Sequence, residues 1–184
     1  TPFVNLTYAA SGSSGITVAD NDNIDFGTGN FTLRWKGALP DWTPGSSQYL
    51  IFKESGPPTY AGYYLRIQGT GVASVGLIED DSSSKLTNIL FGTALPAFDG
   101  QTGEVVITIQ QATASANGTA ICYFNGQQVG SAVTLNAGEQ RNINTDGVLY
   151  ISGINGARTA STTSSVTLFN RALSAAEVLS LYQS

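Results

Sequence analysis

The stretch Asp20-Asn21-Asp22-Asn23-Ile24-Asp25 carries five oxygen-bearing side chains, the hard-ligand chemistry that calcium prefers. It is not an EF-hand loop, because Asp25 stands where that loop needs glycine and Phe31 where it needs a bidentate glutamate. Asp20, Asp22 and Asp25 are therefore candidate ligands for a structural calcium. The simpler reading is that Asp and Asn are favoured in turns for their own hydrogen bonding. Sugar recognition would need an exposed aromatic ring beside groups that hydrogen-bond to hydroxyls. Trp42, in Pro40-Asp41-Trp42-Thr43-Pro44-Gly45, and Tyr60, in Gly56-Pro57-Pro58-Thr59-Tyr60-Ala61-Gly62, lie among turn formers, which places both rings near the surface. With the neighbouring Asp41 they form the candidate ligand-binding set, against the alternative that each ring folds back over the core.

Catalytic chemistry finds little support. There is no histidine, so a Ser-His-Asp arrangement is impossible and the commonest general base is missing. Cys122 is the single cysteine, set in Ala120-Ile121-Cys122-Tyr123-Phe124; it cannot form an internal disulfide and reads as a buried, inert thiol. Glu79-Asp80-Asp81 cannot aim two carboxylates into one cleft from one strand face, as glycoside hydrolysis requires. These acids read as a solvated turn between Val75-Gly76-Leu77-Ile78 and Lys85-Leu86. The expectation is a non-enzyme.

The elements that must position these residues are strands. Phe31-Thr32-Leu33-Arg34-Trp35-Lys36 alternates apolar and polar residues, so Phe31, Leu33 and Trp35 share one face. Tyr63, Leu65 and Ile67 do the same, and Val105-Val106-Ile107-Thr108-Ile109-Gln110 follows that logic. Asn125-Gly126 accepts the positive φ angles of a tight hairpin turn. Asn117-Gly118 is expected to do likewise, making residues 104–133 a three-stranded meander, and Asn155-Gly156 marks another turn. Roughly a dozen strand candidates occur at the spacing of a sandwich or jelly roll. The chain ends differently: Ser174-Ala175-Ala176-Glu177 is a capping box, followed by Val178, Leu181 and Tyr182 at helical spacing. A helix this short does not persist alone in water, so its apolar stripe must pack on the sheets.

The 184 residues fit one domain. Eight Lys and Arg against thirteen Asp and Glu give a net charge of −5 with no basic stripe, which argues against nucleic acid as a partner. No apolar stretch approaches the roughly 18 residues of a membrane span, so no membrane insertion is expected.

Three segments in order resemble laminin-G-like domains of the concanavalin-A-like superfamily. They are the opening from Val18 to Trp35, the hairpin Ile121-Cys122-Tyr123-Phe124-Asn125-Gly126-Gln127-Gln128-Val129, and the ending Phe169-Asn170-Arg171-Ala172-Leu173-Ser174-Ala175-Ala176-Glu177-Val178. One departure is Phe98-Asp99-Gly100-Gln101-Thr102-Gly103-Glu104-Val105, which lacks a Trp-His pair common there. The resemblance implies an all-β, two-sheet antiparallel jelly-roll sandwich over residues 1–184 with one short C-terminal helix. It also implies a structural calcium in many members and a role as an add-on module of secreted, surface or bacteriophage proteins. One related group of glycoside hydrolases on this superfold carries its carboxylates on a single strand as Glu-x-Asp-x-x-Glu, which is absent here. The expected function is a non-catalytic recognition module at a cell or virion surface, binding carbohydrate or a surface protein through loops at one rim. The competing expectation is a structural or decoration domain of a virion, with no small ligand, working as a homo-oligomer or part of a larger assembly.

Overall fold

The structure, a computed structural model, describes residues 4–10, 16–56, 60–79, 86–154 and 157–184. In chain order its strands begin with β1 (Val4–Ala10), β2 (Ile16–Val18), β3 (Phe31–Ala38), β4 (Gln48–Glu54) and β5 (Gly62–Ile67). They continue with β6 (Val72–Ile78), β7 (Leu86–Ala94), β8 (Thr102–Gln110), β9 (Gly118–Phe124) and β10 (Gln127–Gln128). The last five are β11 (Val133–Leu135), β12 (Leu149–Ile151), β13 (Gly153–Ile154), β14 (Ala157–Arg158) and β15 (Thr162–Phe169), before the helix α1 (Ala175–Tyr182).

Two antiparallel sheets face each other. One has the order β1-β15-β3-β8-β9-β10, with β11 also on β9; the other runs β2-β12-β4-β5-β6-β7. This is the expected two-sheet jelly-roll sandwich with a short C-terminal helix. The alternation read from β3 holds, since Phe31, Leu33 and Trp35 have no exposed surface and lie opposite Ile109, Ile107 and Val105 of β8. The second sheet returns Leu50, Ile51, Tyr63, Leu65, Ile67, Val75 and Leu77 to the same core. Cys122 is buried there too, and burial pushes its thiol pKa up to about 12, so it stays protonated and unreactive.

The turns divide. Asn125 and Gly126 adopt φ of 50° and 77°, the tight hairpin expected. Asn117-Gly118 does not form such a turn. Gly118 already belongs to β9, where a Cβ would lie 2.2 Å from the Gln110 carbonyl oxygen, and the connection from β8 is instead a longer loop. That loop is closed by a hydrogen bond from Thr113 N to Ala116 O at 2.9 Å, while Asn117 Oδ1 accepts from Ala137 N. The turns expected at Glu79-Asp80-Asp81 and Asn155-Gly156 fall, at residues 80–85 and 155–156, outside the described residues.

The helix covers the outer face of the first sheet. Val178 is fully buried in a cluster with Val106, Tyr123, Phe169 and Leu173, and Leu181 packs against it, whereas Tyr182 is exposed. Arg34 below donates to Glu104 Oε2 and to the Leu181 carbonyl. At the N-cap, Ser174 N donates to Glu177 Oε2 at 2.8 Å and Glu177 N donates to Ser174 Oγ, with Arg171 at 2.7 Å from Glu177 Oε1. The Arg171 guanidinium first, and the Ser174 donors next, hold the Glu177 carboxyl at about 2, below its ordinary 4.5. A depressed acid stabilises the fold above its unfolded pKa and loses that effect as pH falls through the folded one. Glu177→Gln should therefore lower stability at neutral pH, with the difference from wild type closing between about 4.5 and about 2; denaturant unfolding across that range measures it.

Candidate functional site

The carboxylates picked out as calcium ligands converge on something else. Lys53, on β4, has no exposed surface, and its Nζ lies 2.7 Å from Asp20 Oδ1 and 2.7 Å from Asp25 Oδ1. It also donates to the Thr145 carbonyl oxygen. A buried ammonium is tolerated only when paired and hydrogen-bonded in this way. Nearby, the Tyr63 hydroxyl donates to the Ile24 carbonyl; burial, then Asp25 and Asp20, push the Tyr63 pKa well up, so it remains a neutral donor. Two carboxylates and a carbonyl would suit calcium in kind, but their centre is filled by a side chain of the protein. The residues present do not fit the ion. Asp22 stands apart, exposed in a 3₁₀ turn (Asp22–Ile24), on a polar cleft of about 340 Å³ shared with Asp25, Asn144 and Asp146. Among the described residues no three carboxylate, histidine or cysteine side chains are grouped to hold a metal.

The expected sugar platform is not assembled either. Trp42 is fully buried. Its indole packs edge-on against Trp35 and Phe124 at centroid distances of 6.1 and 5.1 Å, and its backbone N–H donates to Asp99 Oδ1. The turn formers around it bend the chain inward rather than displaying the ring, which corrects the surface position expected for it. Asp41 is exposed, but its Oδ1 accepts from Thr43 N and Thr43 Oγ1, closing the local turn. Tyr60 is 41% exposed. It lies on the β4–β5 connection, whereas Trp42 and Asp41 precede β4, so the two sites are reached from opposite ends of a seven-residue strand, itself about 20 Å long. One rim does not carry all three. Beside Asp41, a cavity of about 470 Å³ is lined by Ala38, Leu39, Pro40, Gly100 and residues 160–162, which offer no aromatic ring and no charge to a ligand.

The aromatic surface lies instead on the outer face of the second sheet. Strand geometry turns alternate residues outward, and antiparallel registers line those residues up across the sheet. One row runs Tyr150, Phe52, Tyr64, Gly76, Asn88; the next runs Tyr49, Arg66, Ser74, Leu90. Tyr49 stands edge-on to Phe52 and Tyr64 at 5.3 and 5.5 Å, and Tyr150 leans on Phe52 at 6.2 Å. Tyr64 lies flat across Gly76, where a Cβ would come 2.2 Å from its ring, and its hydroxyl reaches Asn88 Oδ1 at 3.4 Å. Burial raises the Tyr64 pKa, with Arg66 acting to lower it, so the phenol is neutral near pH 7. Arg66 Cζ sits 5.0 Å from the Tyr64 ring centroid and 5.7 Å from that of Tyr49, within cation–π range. Its Nε donates to Ser74 Oγ and its Nη1 to the Tyr49 hydroxyl. Leu86 and Leu90 are 51% and 46% exposed on this face.

The two sheets thus differ. The outer face of the first is roofed by α1, while among the described residues no helix covers the second. Sequence reasoning assigned Tyr63, Leu65 and Ile67 to one face and overlooked what followed: Tyr64 and Arg66 had to face the other way. Glu54 is the one carboxylate among the described residues of this face.

A two-sheet antiparallel sandwich with a helix packed on one outer face defines the class. The laminin-G-type model described as the concanavalin A-like lectin/glucanases superfamily matches residues 10–179, and the chain belongs to that family. Among solved structures, the CBM40 module of the Ruminococcus gnavus IT-sialidase, bound to α2,3-sialyllactose, is similar with a TM-score of 0.70 and 11% identity, covering 99% of this chain and 100% of that one. The binding domain of paraclostridial mosquitocidal protein 1 matches with a TM-score of 0.67 and 17% identity, over 97% of this chain and 42% of that one. The botulinum neurotoxin serotype G binding domain matches at 0.66 and 16% identity, over 100% of this chain and 51% of that one. This chain therefore spans about half or less of the two toxin binding domains. No curated protein matches it in sequence. At these identities the likeness shows a shared fold.

Proposed function

We propose that this domain is a non-catalytic carbohydrate-binding module of an extracellular or surface-displayed protein, and that its site is the open face of the second sheet. The observation that carries the reading is the cluster of Tyr49, Phe52, Tyr64 and Tyr150 on a face that no helix covers among the described residues. Sugar rings have an apolar side that stacks on aromatic groups and a polar edge that needs fixed donors. Tyr49 and Tyr150, both half-buried, supply the first; Asn88 and Arg66 supply the second. The R. gnavus neighbour, a carbohydrate-binding module solved with a sugar, and the toxin binding domains on the same fold support a recognition role.

The test is a glycan array followed by calorimetry on the hits. Tyr49→Ala and Tyr150→Ala should each weaken binding about tenfold, roughly 1.4 kcal/mol, with thermal unfolding recorded alongside to separate binding from folding. Binding untouched by both substitutions would place the ligand elsewhere, and silence across the array would leave a structural role without a small ligand.

A further inference from the structure

The charge on this face narrows the ligand. Arg34, Arg141 and Arg171 each lie within 4.0 Å of a carboxylate. Among the arginines whose side chains are described, Arg66 alone has no such partner. The one carboxylate among the face's described residues, Glu54, pairs with Gly62, four positions along β5 from Arg66, a separation of about 13 Å. On a protein of net charge −5, this guanidinium in an aromatic face has no carboxylate within ion-pair distance among the described residues.

Its geometry is fixed in advance. A guanidinium has five N–H donors, and here only Nε and one Nη1 hydrogen are used, by Ser74 Oγ at 3.1 Å and the Tyr49 hydroxyl at 3.2 Å. Nη2 and the other Nη1 hydrogen, the end-on fork that matches a planar carboxylate, make no hydrogen bond to a described residue. The rings of Tyr49 and Tyr64 hold the group's plane, so little side-chain freedom is left to lose on binding.

We infer that Arg66 makes this face selective for glycans that carry a carboxylate, such as a sialic or uronic acid, with the sugar ring on the tyrosines and the acid on the fork. The inference rests on the carbohydrate-binding reading above. It is tested by calorimetry with matched probes: 3′-sialyllactose against lactose, glucuronate against glucose, and galactose 6-sulfate, which carries a sulfate and no carboxylate, each on wild type, Arg66→Gln and Arg66→Lys, with melting curves recorded for every variant.

The expected result is that at least one acidic sugar binds ten times or more tighter than its neutral counterpart. The advantage should shrink with added salt, disappear in Arg66→Gln and survive only in part in Arg66→Lys, which keeps the charge and loses the fork. Neutral and acidic sugars binding alike, or a preference that persists in Arg66→Gln, would overturn the inference while leaving the carbohydrate-binding reading standing. Tighter binding of the sulfated sugar than of either carboxylate would overturn the ligand class. No binding by any probe would remove both.

Discussion

Lys53→Met is expected to cost about 3–5 kcal/mol of folding stability, the range for breaking a buried ion pair and leaving its partners uncompensated. Methionine fills a similar volume, so packing is roughly kept. What is lost is the charge between Asp20 and Asp25, whose side chains are only 30% and 14% exposed. Adding Asp20→Asn and Asp25→Asn to Lys53→Met should recover much of the loss, because paired removal of buried charges is far cheaper than removing one partner. Urea unfolding of the single and triple variants checks this; a single variant as stable as wild type would mean the ammonium does not hold these loops. By the same argument EDTA should leave the wild-type melting midpoint unchanged, since the centre that calcium would use holds a side chain.

Trp42→Ala should cost about 3–5 kcal/mol, the usual range for deleting a buried aromatic ring, and lower the melting temperature by about 10 °C. The cavity would open between Trp35 and Phe124. Trp42→Phe should cost much less, for a specific reason. The indole Nε1 is buried with no partner among the described residues, and an unmade hydrogen bond of that kind costs about 1–3 kcal/mol, which phenylalanine avoids. Calorimetric melts of both variants measure the contrast. An unperturbed melt for Trp42→Ala would return the ring to the surface role read from the sequence. Any loss of glycan binding in that variant must be judged against its melt, whereas Tyr150→Ala touches the proposed face directly.

What was legible in the chain was local. Alternation fixed the faces of β3, β5 and β8, Asn125-Gly126 announced its turn, and the capping box at Ser174 and Glu177 marked the start of a helix whose Val178 is buried as expected. What was not legible depended on partners far away in sequence. Tyr150 comes beside Phe52 only through the pairing of β12 with β4, a neighbour relation between residues almost a hundred positions apart. Lys53 meets Asp20 and Asp25 because a strand end and a preceding loop are brought together by the sandwich. Nothing in the run of acids marks an ammonium as its intended partner. Trp42 failed for a different reason: a segment of turn formers shows where the backbone bends, not which way the ring swings.

Gly76 sets the relief of the open face. Without a side chain on β6 at that point, the ring of Tyr64 sinks into the notch and rests near the level of the sheet backbone, below the height at which a tyrosine ordinarily stands. A single methyl there, as in Gly76→Ala, would prop the Tyr64 ring upward and shift the cushion under Arg66. The shape of this surface therefore depends on a residue that lies beneath the Tyr64 ring rather than beside it.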